Sequence, residues 1–186
     1  FICDMAECHV LHPELFALVA PLREHLVGIL PEHARGEIDV MRADNGIDMS
    51  LGLGRVTLDG ALRTRLAAFA SKLNLIRLTV NGELVAQSHP PVIRWAGAEV
   101  TPPPAAFLQA VPEAEAALQD LVTACVGQAK RVADLFAGCG AFTFALARKS
   151  AVAAFDSETE SIAALTAAAR AAQGLKPVTA ERRDLF

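Results

Sequence analysis

Residues 132–143 have the sequence VADLFAGCGAFT, in which a short apolar run leads into a Gly-x-Gly turn. The pattern predicts a strand over residues 132–136, a tight turn, and a helix that begins at once and runs to residue 148. Glycines at such a turn let the backbone reverse sharply and let a ligand approach it closely. The stretch therefore predicts a βα unit that can bind a small molecule.

The same alternation continues toward the end of the chain and begins before it. Residues 151–155 predict a second buried strand, residues 158–173 an Ala-rich helix and residues 177–182 a third strand. A further helix over residues 112–128 precedes the unit. Because strands alternate with helices, the sequence predicts a parallel sheet joined by right-handed crossovers, which is an α/β architecture.

Three acids lie at the carboxyl ends of the three predicted strands, at the sheet edge where open α/β sheets bind ligands. Asp134 precedes the Gly-x-Gly turn, Asp156 can accept hydrogen bonds from two ribose hydroxyls, and Asp184 can meet an adenine edge. Plainer interpretations stay open for each feature. The glycines Gly138 and Gly140 could merely shape the turn, Asp156 could complement a helix dipole, and Asp184 could be a solvated acid.

The residues around the turn discriminate between two nucleotide classes. The dinucleotide fingerprint requires Gly or Ala where this chain has Thr143, and a bound pyrophosphate would be repelled by Asp134. A cationic sulfonium ligand would tolerate that acid. The pattern therefore favours S-adenosylmethionine over NAD.

The first part of the chain has a different pattern. Apolar residues at helical spacing predict helices over residues 12–30 and 60–73. Asn45-Gly46 and Asn81-Gly82 each join two short apolar runs, and Asn-Gly favours the type I′ turn of a hairpin. The predicted strands, which favour an antiparallel sheet, are residues 37–44, 47–53, 75–80 and 83–87.

A proline run at residues 102–104 fits neither a helix interior nor a central strand, so we place a domain boundary there. The predicted domains are an α+β domain over residues 1–104, incomplete at its start, and an α/β domain over residues 105–186. Phe1 stands where a start methionine would, and the last residues form no capping helix. We therefore interpret the chain as a central fragment of a longer protein.

Composition excludes several classes of protein. The chain has 186 residues, 53% of them hydrophobic, and a net charge of −4, which excludes a disordered chain and a basic nucleic-acid footprint over the whole chain, but not a local basic patch. No uncharged run of 18 apolar residues occurs, so we expect no membrane span. Four scattered cysteines are typical of reduced thiols, which favours the cytoplasm.

Residues 134–143, preceded by Phe107-Leu108-Gln109-Ala110, resemble the RNA uracil-5 methyltransferases, which form 5-methyluridine in ribosomal or transfer RNA. The resemblance implies the first half of a class I, Rossmann-like methyltransferase domain that binds S-adenosylmethionine. Ala141 stands where that family usually has Asn, and Asp156 where it more often has Glu. The cofactor-binding residues that the resemblance implies are Gln109, Asp134, Phe136, Gly138, Gly140, Asp156 and Asp184.

The resemblance also concerns the cysteines. Residues 4–15 are similar to the segment that holds the fourth ligand of the family's [4Fe–4S] cluster, which makes Cys8 a candidate ligand. The other three ligands would precede residue 1. The nucleophilic Cys and the base Glu of the family would follow residue 186, so we expect no catalytic residue here and no activity from this chain alone. Cys125 and Cys139 are interpreted as core residues.

The function implied is S-adenosylmethionine-dependent methylation of C5 of a uridine in RNA, with ribosomal RNA favoured over transfer RNA. One alternative is a methyltransferase of the same fold with another substrate. Another is a non-catalytic module that binds nucleotides or proteins. If the third strand, residues 177–182, ends the sheet, its open edge could also pair with a second copy.

Overall fold

The structure is a computed structural model that describes residues 5–29 and 36–186. The chain divides into two compact units after Pro91, residues 1–91 and residues 92–186. No helix of the described residues is long and apolar enough to cross a membrane. The sequence also predicts a strand at residues 1–4, which include Cys3, and these residues lie outside the described part of the chain.

The first unit is a four-stranded sheet with helices. Its elements are α1 (Pro13–Phe16), α2 (Val19–Leu26), β1 (Glu37–Ala43), β2 (Gly46–Gly52), α3 (Gly60–Lys72), β3 (Leu75–Val80) and β4 (Glu83–Gln87). Both predicted hairpins are present, but β2 and β3 pair in parallel, so the sheet is mixed and not antiparallel as predicted. The helix α3 connects β2 to β3 and returns the chain to the same end of the sheet, which makes a parallel pair possible.

The helix predicted over residues 12–30 is two helices in the described residues up to 29, and Pro21 explains the break. In a continuous helix Pro21 would lack the N–H that bonds the carbonyl of Ala17, and its ring would clash with that carbonyl. The structure instead begins α2 at Val19, which places Pro21 in a first turn where its missing N–H costs nothing.

The two Asn-Gly turns differ. Asn81 and Gly82 have φ of 49° and 81°, as a type I′ turn requires. At the first hairpin Ala43 pairs with Gly46, so Asp44 and Asn45 are the turn residues, and neither has a positive φ. Gly46 has a φ of 144°, and a Cβ there would lie 2.5 Å from Cγ2 of Ile76. Close packing against the next strand, not turn type, explains this glycine.

The second unit contains the predicted parallel sheet. Its elements are β5 (Ile93–Trp95), β6 (Ala98–Val100), α4 (Pro112–Val126), β7 (Arg131–Leu135), α5 (Ala141–Ala147), β8 (Ala151–Asp156), α6 (Thr159–Ala171) and β9 (Val178–Arg182). The sheet order is β7-β8-β9 with both pairings parallel, which confirms the α/β prediction.

The β5–β6 hairpin is the element that the sequence did not predict. Its turn places Ala96 at a φ of 50° before Gly97 at 88°. Alanine rarely adopts the left-handed region, so the dipeptide gives no turn signal. The hairpin packs on α6, and the division between units therefore falls before the predicted boundary at residue 104.

One core cluster of the second unit forms where α4 packs on α5 and α5 packs on the sheet. Leu146 and Val152 are buried there, and Val122 and Val126 of α4 pack against them. These two valines lie one helical turn apart and therefore share the core-facing side. Cys125 lies beside that side and is exposed, so its prediction as a core residue is wrong.

Candidate cofactor site

The turn between β7 and α5 is built on three left-handed residues. Phe136, Gly138 and Gly140 have φ of 60°, 53° and 102°. For Phe136 this conformation costs about 1 kcal/mol, because its Cβ approaches the following carbonyl. The turn is held by the N–H of Ala137, which donates to the carbonyl of Phe155 at 3.0 Å. The strained aromatic residue is thereby fixed beside the glycines.

The two glycines are required for different reasons. A Cβ on Gly140 would lie 2.7 Å from Cε2 of Phe144 and 3.0 Å from Cγ of Leu165, both of which are fully buried. A Cβ on Gly138 would meet no described atom within 4 Å. Gly140 therefore permits the start of α5 to lie close to Leu165 of α6 and to Phe144, whereas Gly138 leaves space open at the surface of the turn.

Asp156 links the turn to the next strand. Its Oδ2 accepts a hydrogen bond from the N–H of Gly138 at 2.8 Å, and its Oδ1 accepts one from the N–H of Glu158 at 2.9 Å. A carboxylate has about four acceptor sites, so two remain for a ligand. Asp156 therefore holds the turn in place and can still bind hydroxyl groups.

Asp134 has a different environment. Its Oδ2 accepts a hydrogen bond from Oγ1 of Thr143 at 2.5 Å. Burial raises the pKa of the Asp134 carboxyl, the Thr143 hydroxyl opposes that shift, and the charge of Asp156 adds to it. Thr143 lies in the first turn of α5, so this hydrogen bond fixes the start of the helix relative to β7.

A cavity of about 420 Å³ lies at the carboxyl ends of β7 and β8. Of the predicted cofactor residues it contains Gln109, Phe136, Gly138 and Asp156, while Asp134, Gly140 and Asp184 are not among its lining residues. The other lining residues are Trp95, Pro103, Pro104, Ala105, Ala106, Phe107, Leu108, Glu115, Ala137, Cys139, Ala141, Phe142, Glu158, Glu160 and Ser161.

Two exposed aromatic rings belong to the lining. Phe107 is 83% exposed and Phe136 is 57% exposed, which is unusual for phenylalanine unless a ligand or another segment covers it. The Phe136 ring lies 5.4 Å from that of Phe186. Asp184 accepts the N–H of Phe186 at 3.1 Å and so shapes the turn before that ring.

Trp95 and Glu115 line the cavity and were not predicted. The indole Nε1 of Trp95 donates to Oε1 of Glu115 at 2.5 Å. Trp95 is the single tryptophan of the chain, and it is 4% exposed. The available sequence signal was the pair of acids, Glu113 and Glu115, in the first turn of the predicted helix that follows the Gln109 segment.

The cysteines of the described residues do not form a reactive centre. Cys139 is buried, and burial raises the pKa of its thiol, an effect that the hydrogen bond with Ser161 reduces in part. Its prediction as a small buried residue is confirmed. Sγ of Cys8 accepts the N–H of Leu11 at 3.3 Å. Within residues 5–29 and 36–186, no group of three or more His, Cys, Asp or Glu side chains could hold a metal ion, so the role of Cys8 as a ligand stays a prediction.

Comparison with known sequences gives a consistent set of relatives. No protein-family model matches the chain. A protein of Rhizobium meliloti named an uncharacterized RNA methyltransferase is 40% identical over 185 residues, covering 100% of this chain and 44% of that protein. A Brucella suis protein with the same description is 39% identical over 186 residues, again 100% of this chain and 44% of the relative.

A more distant relative has a specific name. The 23S rRNA (uracil(1939)-C(5))-methyltransferase of Pectobacterium atrosepticum is 30% identical over 155 residues, which cover 81% of this chain and 34% of that protein. The chain thus spans less than half the length of the relatives it matches. It is a homologue, over its whole length, of proteins named RNA methyltransferases.

Solved structures show the fold. The tRNA (uracil-54, C5)-methyltransferase of Pyrococcus abyssi, solved in complex with S-adenosyl-L-homocysteine, aligns with a TM-score of 0.71 at 15% identity and covers 99% of this chain and 50% of that one. A tRNA m1G37 methyltransferase of M. jannaschii aligns with a TM-score of 0.54 at 15% identity over 98% of this chain and 55% of that one. The predicted Rossmann-like methyltransferase fold is confirmed.

Proposed function

We propose that the protein containing this chain is an S-adenosylmethionine-dependent RNA methyltransferase that methylates C5 of a uridine, with ribosomal RNA as its substrate. One observation carries the proposal. A cavity bounded by Gly138 and Asp156 lies at the strand ends of a chain that is 40% identical, over its whole length, to a protein named an RNA methyltransferase.

The lining of the cavity fits the proposed cofactor. Four carboxylates line it, those of Glu115, Asp156, Glu158 and Glu160, and none of its described lining residues is Lys, Arg or His. Such a site disfavours a bound pyrophosphate and tolerates a cationic ligand. When bound, S-adenosylmethionine would supply an electrophilic methyl group on a positively charged sulfur.

Four residues are proposed to hold the cofactor. Asp156 would accept hydrogen bonds from hydroxyl groups, and Gln109 offers an amide that can both donate and accept. Gly138 would allow close approach to the backbone, and Phe136 would cover an apolar ligand surface with its exposed ring. Each of the four lines the cavity.

The choice of uracil C5 and of ribosomal RNA has narrower support. It is supported by the resemblance of residues 107–143 to uracil-5 methyltransferases and by the name of the Pectobacterium relative. The nucleophilic cysteine is proposed to lie after residue 186. The buried Cys139 with its raised thiol pKa is consistent with this, because a nucleophile requires the thiolate.

The test is a methyl-transfer assay with the full-length protein. Unmodified 23S ribosomal RNA and unmodified transfer RNA are incubated separately with methyl-labelled S-adenosylmethionine, and the digested nucleosides are identified by mass spectrometry. We expect labelled 5-methyluridine in ribosomal RNA. Label in transfer RNA alone would overturn the substrate, and a different methylated nucleoside would overturn the reaction at C5.

The cofactor is tested separately by calorimetric titration with S-adenosylmethionine and with NADH. Saturable binding of S-adenosylmethionine alone, weakened by Asp156→Ala, is expected. Binding of NADH alone would overturn the methyltransferase proposal.

We also propose Cys8 as one ligand of a [4Fe–4S] cluster in the full-length protein, for which four thiolates are the normal ligand set. Its support is the sequence resemblance of the segment around it. Iron content and the visible absorption of the purified protein should both fall in Cys8→Ser. Unchanged iron in that variant would remove Cys8 from the ligand set.

A further inference from the structure

The contact between Trp95 and Glu115 joins two elements that are distant in sequence. Trp95 ends β5, and Glu115 lies in the first turn of α4. The indole N–H donates to Oε1 of Glu115 at 2.5 Å, and a tryptophan that is 4% exposed has little freedom to move. The carboxylate of Glu115 is therefore held in one orientation.

The held carboxylate faces the cavity. Glu115 and Trp95 both line it, together with Gln109 and Phe136. No described residue donates a hydrogen bond to Oε2 of Glu115, whereas both oxygens of Asp156 already accept backbone N–H groups. Within the described part of the chain, Glu115 thus presents a fixed anionic oxygen to the cavity with no cationic side chain in the lining.

A purely structural contact between β5 and α4 would not require this residue type. A neutral amide oxygen could also accept the indole N–H, although more weakly, and it would avoid adding a fourth negative charge to the lining. Among the described residues, the lining contains no cationic side chain to offset this charge, so the carboxylate would attract a cationic group of a ligand. The arrangement therefore resembles half of an ion pair whose other half is a ligand.

We propose that Trp95 and Glu115 form a cation subsite of the cofactor cavity, in which Glu115 contacts a positively charged group of the ligand and Trp95 is a positioning residue. The inference rests on the proposed function, because S-adenosylmethionine has two cationic groups, its sulfonium and its α-ammonium. Both groups are cations on the amino-acid part of the ligand, and either of them could pair with Glu115.

Three ligands distinguish the two cations. S-adenosylmethionine has both, S-adenosylhomocysteine has the ammonium alone, and 5′-methylthioadenosine has neither. Each is titrated calorimetrically into the full-length protein and into its variants. Glu115→Gln keeps the size of the side chain and an oxygen that can accept the Trp95 N–H, so it isolates the charge. Glu113→Gln is the matched control, because Glu113 is exposed in the same helical turn and does not line the cavity.

We expect Glu115→Gln to weaken S-adenosylmethionine about tenfold, as the loss of a charge-assisted hydrogen bond does. Binding of 5′-methylthioadenosine should change less than twofold, and Glu113→Gln should leave all three affinities within twofold. An equal loss for S-adenosylhomocysteine would assign the contact to the ammonium, and an unchanged affinity for it would assign the contact to the sulfonium.

Two results would overturn the inference while leaving the cofactor in place. Glu115→Gln could bind S-adenosylmethionine as the unsubstituted protein does, or it could lose all three ligands equally, as a general distortion would cause. Failure of the unsubstituted protein to bind S-adenosylmethionine would instead overturn the proposed function, so the two failures are distinguishable.

A second variant tests the role of Trp95 should Glu115→Gln fold poorly. Trp95→Phe keeps a buried aromatic ring, although a smaller one, and removes the N–H that orients Glu115. It should weaken S-adenosylmethionine about threefold without affecting 5′-methylthioadenosine, and the double variant should bind no more weakly than Glu115→Gln alone. Additive losses in the double variant would remove Trp95 as a positioning residue.

Discussion

Asp134 and Asp156 occupy equivalent positions in the sequence, each at the carboxyl end of a predicted strand, but the structure places them on different sides of the turn between β7 and α5. Asp134 is the penultimate residue of β7 and Asp156 is the last residue of β8, and these neighbouring strands are parallel. Asp134 bonds Thr143 on the side of the helix core, whereas Asp156 bonds Gly138 and lines the cavity. The two glycines divide in the same way. The core side of the turn, with Asp134 and Gly140, thus determines how α5 packs. The cavity side, with Asp156 and Gly138, determines what the cavity binds.

The largest effect is expected on the core side, from Gly140→Ala. The added Cβ would lie 2.7 Å from Phe144 and 3.0 Å from Leu165, neither of which has room to move, and the residue has a φ of 102°. We expect the free energy of unfolding to fall by about 3 kcal/mol, from overpacking together with a left-handed alanine. Urea denaturation measures the loss. A loss below about 1 kcal/mol would contradict the packing role of Gly140.

On the cavity side, Asp156→Asn is expected to weaken binding of S-adenosylmethionine by about 10- to 100-fold, because hydrogen bonds to a carboxylate are stronger than those to an amide. Calorimetric titration measures the change. Asp184→Asn is the control, since Asp184 was also predicted to bind the cofactor but does not line the cavity. Equal losses in the two variants would place Asp184 in the site after all.

Thr143→Val tests the core-side acid through the pH dependence of stability. Burial raises the folded-state pKa of Asp134 above its ordinary value of 3.8, so its contribution to stability declines as pH rises through the folded value. Removing the Thr143 hydroxyl takes away the group that opposes this shift, so the decline extends over a wider pH range and its total size increases.

Urea denaturation at pH 7 and pH 4 compares Thr143→Val with the unsubstituted protein. We expect the free energy of unfolding to fall by about 1–2 kcal/mol at pH 7, where a buried carboxylate loses its partner, and by less at pH 4. Thr179→Val on β9, which is exposed, should have little effect at either pH. If the loss were the same at both pH values, protonation of Asp134 would not be coupled to unfolding, which would contradict the prediction.

Part of this division could be predicted from the sequence. The strands and helices of residues 131–182 follow the predicted order because hydrophobic period and turn residues agree there. The alternation of side chains along a strand also predicts the side on which Asp134 lies. Val132 packs into the core, and Asp134 lies two residues later, so both side chains are on the same face of β7. Asp156 is the last residue of its strand, so it can leave the sheet and face the cavity.

The pair formed by Trp95 and Glu115 could not be predicted in this way. It joins residues 20 positions apart, and hydrophobic period describes only neighbours along one element. The hairpin that positions Trp95 has Ala96 in a left-handed turn, where sequence patterns expect Gly or Asn. The sequence thus predicts Gln109 and the cavity residues at the ends of the adjacent strands, but not the part of the cavity that the contact between Trp95 and Glu115 forms.

Gly138→Ala is expected to have the smallest effect on stability and completes the comparison of the two sides. Its φ of 53° costs an alanine about 1 kcal/mol, and no described atom lies within 4 Å of the added Cβ, so there is no overpacking. Because Gly138 lines the cavity, the methyl group should still reduce the affinity for S-adenosylmethionine measurably. Urea denaturation and calorimetry on Gly138→Ala and Gly140→Ala together separate the two glycines. If Gly138→Ala lost as much stability as Gly140→Ala, packing would govern both sides of the turn, and the distinction between a core side and a cavity side would fail.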